Sequence, residues 1–346
     1  MMDVLKMAGL RKATDVHVEA GGVAYLRVLG ALEPLGAFSA EDFRALQNQL
    51  FLAASIVNNG GEGVKDFSCA IPGLGRLRVR CYQSRGREAM AIRLLPAGVP
   101  AQDTLQWPPA VAPLCACRQG LILVTGASGS GKSTTLAAMI ELINHTRPCH
   151  ILTFEAPIEY LFQNDQAMIH QCEVPTEVAS FAEGAKDALR MDADVIMLGE
   201  LGDLETMRAA MKLAESGHLV LATMHIGSAS EAVGYFINHF PADEQPLVAH
   251  QLAAMLQAVI TQRLLTHVSA AQRVPVYEVM LHNTAVARQI RERDYAQLAA
   301  SIELGRAEGM VLLEDSLASL VCTGTVALDD ALAAANDPAR LRRLLR

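Results

Sequence analysis

Short apolar runs alternate with helix-like patterns through the middle of the chain. Four of the runs are rich in residues that favour strands: Leu121–Thr125, His150–Phe154, Val195–Leu198 and Leu219–Thr223. A buried parallel strand is apolar on both faces, and a helix usually connects it to the next strand. The alternation therefore predicts an α/β fold in which helices cover both faces of a mostly parallel sheet.

The first 98 residues follow a different pattern. Val16–Glu19 and Ala24–Val28 alternate between apolar and polar positions as strands do, and Arg76–Tyr82 alternates again. A serine with an acid three residues later is a common helix N-cap, so Ser39 predicts the start of a helix that continues to Leu50. We therefore expect a smaller α+β domain in this part of the chain.

Proline marks the boundary between these two patterns. Residues 96–113 contain five of the fourteen prolines, so this stretch can be neither a long helix nor a central strand. We expect residues 1–98 to form the first domain, residues 99–113 the linker and residues 114–346 the second domain.

The last hundred residues are rich in alanine and predict helices. From about Ala242 the chain is expected to be mainly helical, and Gln251–Leu265 is amphipathic. The larger domain is therefore expected to end in a helical region.

Composition and charge narrow the class of protein. The formal net charge of −8 gives no general attraction to nucleic acid or to an anionic membrane, and no nucleic-acid partner is expected. No apolar run reaches the roughly 18 residues of a membrane span, and the start of the chain lacks signal-peptide features. The seven cysteines contain no C-x-x-C pair, which argues against a zinc ribbon. Their odd number in a long chain argues against a disulfide scaffold, so most of them are expected to be small buried hydrophobic side chains. We expect a cytoplasmic protein that is not inserted in a membrane.

One glycine-rich segment predicts a ligand. Gly126–Ser133 has the form G-x-x-x-x-G-K-S, directly after one predicted strand and before a predicted helix. Its glycines allow backbone N–H groups to surround a phosphate, Lys132 would reach the β- and γ-phosphates, and Ser133 would offer its hydroxyl to Mg²⁺. The expected cofactors are therefore ATP and Mg²⁺. The residues expected to contact the nucleotide here are Gly126, Ser128, Gly129, Ser130, Gly131, Lys132, Ser133 and Thr134.

Carboxylates follow two of the predicted strands. The buried run that starts at Asp194 ends in Glu200, which is the predicted catalytic or metal-linked acid, while Asp194 belongs to the start of the strand. Glu155 and Glu159 follow the second strand, and either could position the attacking water or hold Mg²⁺ through a water. One of these two could instead be a solvated loop acid.

Histidines bracket the fourth predicted strand. His225, at its carboxyl end, could donate to the γ-phosphate and report hydrolysis to the rest of the subunit. His218, at the start of the strand, is a second candidate for this role. A structural histidine with satisfied hydrogen bonds is the alternative for both.

An arginine-rich face is unusual in an acidic chain. Alternation places Arg76, Arg78 and Arg80 on one side of a strand. The other arginines nearby are Arg85, Arg87 and Arg93. Such a group could reach a nucleotide bound by the same chain or by a neighbouring subunit, and the alternative is a solvated strand face.

In their order along the chain, these motifs resemble those of the PilT-type type IV pilus retraction ATPases, within the secretion ATPase superfamily. After the Walker A loop, Ile151–Glu159 is similar to the family's Asp box, Asp194–Glu200 to its Walker B motif and Gly217–His225 to its His box. Four ordered boxes are much more specific than a Walker A loop alone. The other stretches that resemble the family are Ala13–His17, Arg76–Val79, Ile92–Pro96, Phe240–Ala242, Gln262–Leu265 and Glu308–Met310.

The resemblance implies a RecA-like P-loop ATPase domain with a PAS-like N-terminal domain and C-terminal helices. It implies a homohexamer with ATP between the two domains, and arginines such as Arg78 and Arg93 that complete the site. Hydrolysis would drive pilin extraction, with Glu200, Glu155, His225 and Lys132 as the catalytic residues. The expected partners are an inner-membrane platform protein, which would hold the cytoplasmic motor at the membrane, and a paralogous pilus ATPase.

The chain also departs from the family's pattern. Ala156 replaces an aspartate of the Asp box, Gly202 replaces an arginine after the Walker B acid, and Ile226 and Gly227 replace a threonine and an asparagine of the His box. The C-terminal motif that the family links to retraction is hard to see, and the nearest stretch is Ala287–Arg293. Hydrolysis is still expected, because the principal acids and the phosphate loop remain.

These departures leave other functions open. One alternative is an ATPase that energises type IV secretion or conjugation, as DotB-like ATPases do. Another is an accessory, PilU-like pilus ATPase with weak turnover, or a nucleotide-binding structural subunit. A pilus-assembly ATPase is disfavoured, because that class carries a longer N-terminal region and a tetracysteine zinc module.

Overall fold

The computed structural model describes residues 2–28, 30–54, 66–95, 98–269 and 272–346. Contacts divide the chain into two units, Met1–Gly98 with Glu159–Leu161, and Val99–Ile158 with Phe162–Arg346. Each unit contains a β-sheet with its own apolar core. Pro96, which ends one of the stretches that resemble the family, lies outside the described residues.

The first unit contains a six-stranded antiparallel sheet. Its strands are β1 (Asp15–Glu19), β2 (Gly22–Val28), β3 (Ala31–Phe38), β4 (Asp66–Ile71), β5 (Gly75–Ser84) and β6 (Arg87–Leu94), and its helices are α1 (Met2–Leu10) and α2 (Ala40–Ala53). The strands lie in the order β3-β2-β1-β6-β5-β4. Ser39 caps α2 as predicted, because its side chain accepts a hydrogen bond from the Asp42 N–H.

The second unit contains a seven-stranded sheet. Its strands are β7 (Gly120–Thr125), β8 (His150–Glu155), β9 (Met168–Glu173), β10 (Val195–Leu198), β11 (Leu219–Met224), β12 (Leu256–Thr266) and β13 (Arg273–Leu281). They lie in the order β13-β12-β7-β11-β10-β8-β9, and all pairs are parallel except β12 with β13. The four strands predicted from apolar runs are confirmed to within one residue.

Helices cover both faces of this sheet, as the alternation predicted. They are α3 (Val111–Leu114), α4 (Lys132–Thr146), α5 (Phe181–Ala188), α6 (Leu204–Glu215), α7 (Ala229–Asn238), α8 (Gln245–Met255), α9 (Thr284–Glu292), α10 (Leu298–Leu304), α11 (Leu313–Cys322), α12 (Leu328–Ala334) and α13 (Pro338–Leu344). Leu121 and Leu123 of β7 pack into the core that includes α6 to α8, whereas Ile122 and Val124 pack into the core that includes α4. Within the described ranges, no helix is long and apolar enough to cross a membrane.

The region after Ala242 corrects one expectation. Helix α8 ends at Met255 and the chain continues directly into β12, so Gln251–Leu265 is part helix and part strand rather than one helical stretch. Residues 258–262 are buried throughout, and the pattern of a strand buried on both faces cannot be told from that of a buried helix. Pairing with β7 decides the conformation, and the region beyond β13 is helical as predicted.

The seven cysteines are free thiols. Burial raises the pKa of Cys69 to about 11 and that of Cys115 to about 12. Both thiols therefore stay protonated at neutral pH, as expected of small buried hydrophobic side chains. The prediction is wrong for most of the cysteines, since four are half-buried and Cys322 is exposed.

Candidate nucleotide site

Four parallel strands end side by side at one edge of the second unit's sheet, in the order β7, β11, β10 and β8. The phosphate-loop motif follows β7, His225 follows β11, Glu200 follows β10, and Glu155 is the last residue of β8. The neighbouring strand ends are joined by backbone hydrogen bonds, such as that from the Gly126 N–H to the Met224 carbonyl at 3.2 Å. This edge brings together residues that lie up to a hundred positions apart in the sequence.

At both ends of the phosphate loop, the backbone has a conformation that favours glycine. Gly126 and Gly131 have φ angles of 144° and 93°. A Cβ at Gly126 would lie 2.4 Å from the Gln262 carbonyl oxygen, and one at Gly131 would lie 2.7 Å from Gln262 Nε2. Ser130 is buried, and no described residue hydrogen-bonds to its Oγ. A Gly-rich loop with an unsatisfied buried hydroxyl fits the phosphate chain of a nucleotide.

Lys132 is the first residue of α4 and is buried. Its Nζ donates hydrogen bonds of 2.9 Å to the carbonyl oxygens of Gly126 and Ala127, and it lies 3.3 Å from His225 Nδ1. The ammonium group is therefore held at the loop and adds its charge to the positive end of α4. Ser133 is the next residue and its side chain is exposed, so its hydroxyl is accessible to a metal ion.

His225 also contacts the predicted catalytic acid. Its Nε2 lies 3.5 Å from Glu200 Oε1, and each of the two side chains is 46% exposed. Lys132, His225 and Glu200 thus form a continuous chain of contacts along the edge of the sheet. A Cβ at Gly202 would lie 3.3 Å from Glu200 Oε1, so the glycine at this position leaves the carboxylate unobstructed.

Glu155 is a buried carboxylate at the end of β8. Its Oε1 accepts hydrogen bonds from Thr153 Oγ1 at 2.7 Å and from Gln171 Nε2 at 3.1 Å. These donors fix the carboxylate in one orientation, which is what the positioning of a water molecule requires. Glu159 belongs to the first unit and Ser133 to the second, so the two residues predicted to hold Mg²⁺ lie in different units. Among the described residues, no group of three or more His, Cys, Asp or Glu side chains is placed to hold a metal ion.

The amino ends of the same strands hold the second histidine that was a candidate for sensing the γ-phosphate. His218 precedes β11, and its Nδ1 lies 2.9 Å from the Leu213 carbonyl oxygen. Asp194 precedes β10, and its Oδ2 accepts a 2.9 Å hydrogen bond from the His150 N–H. The structure therefore places His218 and Asp194 at the amino ends of their strands, away from the phosphate loop.

Four of the six predicted arginines are paired with carboxylates, namely Arg78, Arg80, Arg87 and Arg93. Arg78 donates from Nε and Nη2 to the two carboxylate oxygens of Asp66 at 3.3 and 3.1 Å, and Arg93 Nε donates to Asp15 Oδ1 at 2.9 Å. Burial alone would raise the pKa of Asp66, but the hydrogen bonds and charges of Arg78 and Arg80 hold it below its usual value. A phosphate that recruited Arg78 or Arg93 would have to compete with these carboxylates. Arg80 also pairs with Asp66, and Arg87 pairs with Glu19.

Gln262, which contacts the phosphate loop, was named from the sequence only as the first residue of a stretch that resembles the family, and not as a site residue. Gln262 is buried, and its Oε1 accepts a 2.7 Å hydrogen bond from Thr135 Oγ1 in the first turn of α4. The available signal was a polar residue in a segment that starts with the apolar run Ala258–Ile260. Because the sequence analysis expected a helical region here, the contact of Gln262 with the phosphate loop was not predicted. Gln262 reaches the loop only when β12 lies beside β7.

Comparison with known proteins identifies the family. The model of the type II/IV secretion system protein family matches residues 87–330. The chain belongs to this family. The relatives of this secretion ATPase include the "Type IV pilus retractation ATPase PilT" of Pseudomonas aeruginosa, 35% identical over 343 residues, or 97% of this chain and 98% of that protein. They also include the "Twitching motility protein" of Neisseria gonorrhoeae, 40% identical over 262 residues, or 76% and 70% of the two chains.

A solved structure matches the secretion ATPase over nearly its whole length. The crystal structure of the pilus retraction motor PilT with bound ADP gives a TM-score of 0.90 at 36% identity and covers 99% of both chains. The predicted resemblance to the PilT-type ATPases is therefore confirmed. The predicted RecA-like α/β fold with a smaller N-terminal domain and C-terminal helices is confirmed as well.

Proposed function

We propose that this protein is a motor ATPase that hydrolyses ATP to power the retraction and disassembly of a type IV pilus. The observation that carries the proposal is the contact chain Lys132–His225–Glu200 beside the phosphate loop. The family supplies the direction of force, because compared members are named as a pilus retraction ATPase and a twitching motility protein.

The site residues divide the chemistry of hydrolysis between them. The loop amides and Lys132 would bind the phosphates, with the ammonium exchanging its bonds to loop carbonyls for bonds to phosphate oxygens. Glu200 would accept the proton of the attacking water, and Glu155 would help to orient that water. His225 would sense the γ-phosphate, since it lies between Lys132 and Glu200.

Mg²⁺ is the expected metal cofactor. The Ser133 hydroxyl would ligate the ion directly. The contact of Glu159 with the ion through a water stays a prediction. When bound, Mg²⁺ neutralises charge that develops on the phosphate oxygens. Ser133 is exposed beside the loop, which supports its part of the assignment.

The proposed assembly is a homohexameric ring, cytoplasmic and bound to an inner-membrane platform protein, with a paralogous pilus ATPase as a second partner. Arg78 and Arg93 would complete a nucleotide site, from the same chain or from a neighbour. If Arg78 acts in a neighbouring site, mixing Arg78→Ala with Glu200→Ala subunits should restore part of the ATPase activity that each variant lacks alone. If the mixture shows no recovery of ATPase activity, Arg78 does not act in the site of a neighbouring subunit.

The proposal is tested with a deletion strain of the source organism. Deletion should leave excess surface pili and abolish twitching, and the wild-type gene should reverse both effects, whereas a gene encoding Glu200→Ala should reverse neither. Normal piliation combined with the loss of a secreted or transferred substrate would favour the secretion function instead. Lost twitching that Glu200→Ala restores would favour an accessory role without turnover.

A further inference from the structure

Two consecutive residues of β12 contact the two loops of the candidate site. Successive side chains of a strand point to opposite faces of the sheet. Gln262 is directed towards the phosphate loop and α4, and Arg263 towards the loop that follows His225. All of these residues belong to the second unit.

Gln262 supports the phosphate loop at both of its ends. Its carbonyl oxygen fills the space that a Cβ at Gly126 would occupy, and its side-chain amide fills the corresponding space at Gly131. Its Oε1 is held by Thr135 Oγ1, and the side chain is only 2% exposed. The backbone of Gln262 thus abuts the start of the loop, and its buried side chain abuts the end of the loop and bonds to the first turn of α4.

Arg263 holds the loop that joins His225 to α7. Its Nη2 donates a 3.1 Å hydrogen bond to the Gly227 carbonyl and contacts Asn336 Oδ1, while Nη1 contacts the Ala334 carbonyl. A guanidinium group can make these bonds at once, because its donors form a rigid fork. The loop is therefore tied to the segment between α12 and α13.

A buried carboxylate holds the end of this loop at α7. Glu278 Oε1 accepts a 2.7 Å hydrogen bond from the Ala229 N–H, at the start of α7, and Oε2 accepts one from the Leu313 N–H. Glu278 lies opposite Thr261 in the pairing of β12 with β13. The loop is thus attached to one hairpin at Gly227 and at Ala229, within four residues of His225.

We propose that Gln262 and Arg263 are separate positioning residues of the ATPase site. Gln262 sets the phosphate loop and so determines nucleotide affinity. Arg263 sets the loop of His225 and so determines the rate of hydrolysis. The inference rests on the proposed function, and it adds two residues whose kinetic effects should differ although they are neighbours in the chain.

The test of Gln262 is ADP binding by Gln262→Leu, which keeps the volume but removes the acceptor of Thr135. We expect the Kd for ADP to rise about tenfold, the size of effect that an unpaired buried hydroxyl produces. Gln257→Leu is the matched control, because Gln257 is on the same strand and packs against Gly120 at the far end of β7. An unchanged Kd in folded Gln262→Leu would overturn the assignment.

A double-mutant cycle separates positioning from general damage. Thr135→Val removes the donor, so the double variant should bind ADP no more weakly than Gln262→Leu alone. Additive losses would mean that Gln262 does not act through Thr135. Thermal unfolding of each variant without nucleotide shows whether the measured protein is folded.

The test of Arg263 is the kinetics of Arg263→Lys, which keeps the charge but cannot reach Gly227 and Ala334 together. We expect kcat to fall about tenfold while the Kd for ADP changes less than about twofold. Arg273→Lys is the control, because Arg273 is an exposed arginine on the other strand of the same hairpin, where it pairs with Thr266. An unchanged kcat, or an equal loss of ADP affinity, would contradict the role of Arg263.

Lys132→Ala distinguishes failure of this inference from failure of the proposed function. If Lys132→Ala still binds ADP and hydrolyses ATP, the site itself is misassigned. If Lys132→Ala loses both activities while Gln262→Leu and Arg263→Lys behave like the wild type, only the roles of these two neighbours are wrong.

Discussion

The two edges of the seven-stranded sheet contain the same kinds of side chain in different surroundings. At the carboxyl edge, Lys132, His225 and Glu200 contact one another. At the amino edge, His218 and Asp194 each contact a backbone group. The difference teaches that the contacts of an ionisable residue depend on which end of its strand it occupies. In a parallel sheet with helical connections, the loops and helix N-termini that bind ligands lie at the carboxyl ends of the strands.

The contrast is greatest between His225 and His218, which are the residues on either side of β11. His225 lies within reach of a lysine and a carboxylate, so its position can respond to a nucleotide. His218 contacts a carbonyl oxygen at the end of α6. The predictions below test whether this contrast in contacts is also a contrast in function.

The largest expected effect is that of Lys132→Ala. Removing the ammonium from the loop should lower the rate of ATP hydrolysis at least about 100-fold, because the negative charge of the phosphate oxygens is then no longer balanced by Lys132. Phosphate release by the purified protein measures the loss. Turnover close to that of the wild type would remove Lys132 from the site.

Glu200→Ala should have the next largest effect. Without the acid, the water is not activated, so hydrolysis should fall about 100-fold while ATP stays bound. Single-turnover kinetics and retention of labelled ATP distinguish these two steps. A normal rate would transfer the role of general base to Glu155.

The pair of variants His225→Ala and His218→Ala tests the comparison of the two edges directly. We expect kcat to fall about tenfold in His225→Ala and to change less than about twofold in His218→Ala. Both variants should be assayed at a temperature at which thermal unfolding shows them to be folded. Equal losses of kcat would mean that the edge of the sheet does not decide the role of the residue.

The smallest expected effect concerns stability and pH at the far end of α4. The hydrogen bond from the His145 ring to Asp165, with the nearby charges of Asp165 and Glu141, raises the pKa of His145. Its contribution is therefore fully present below the unfolded pKa of about 6.5 and is lost as the pH rises through the higher folded value. His145→Gln should lower the Tm by at most about 2 °C at pH 5.5 and not at pH 8.5, since the pair is exposed. A larger deficit at pH 8.5 would reverse the sign of this linkage.

Much of the fold could be predicted because its signals are local. The four apolar runs predicted β7, β8, β10 and β11, and Ser39 predicted the start of α2. Strand β12 could not be predicted, because burial on both faces removes the period by which a strand is distinguished from a helix. Strand β9 was missed as well, since its burial pattern is mixed at the edge of the sheet.

The sequence by itself determined the phosphate loop, since spacing, glycine content and the following lysine are all local properties of Gly126–Ser133. It also determined which acids and histidines were candidates. Only the tertiary structure decided that His225 lies beside Lys132 and Glu200 while His218 lies at the opposite edge, and that Gln262 packs under the loop. These relations depend on the order of strands in the sheet, which brings distant segments together and leaves no local pattern in the chain.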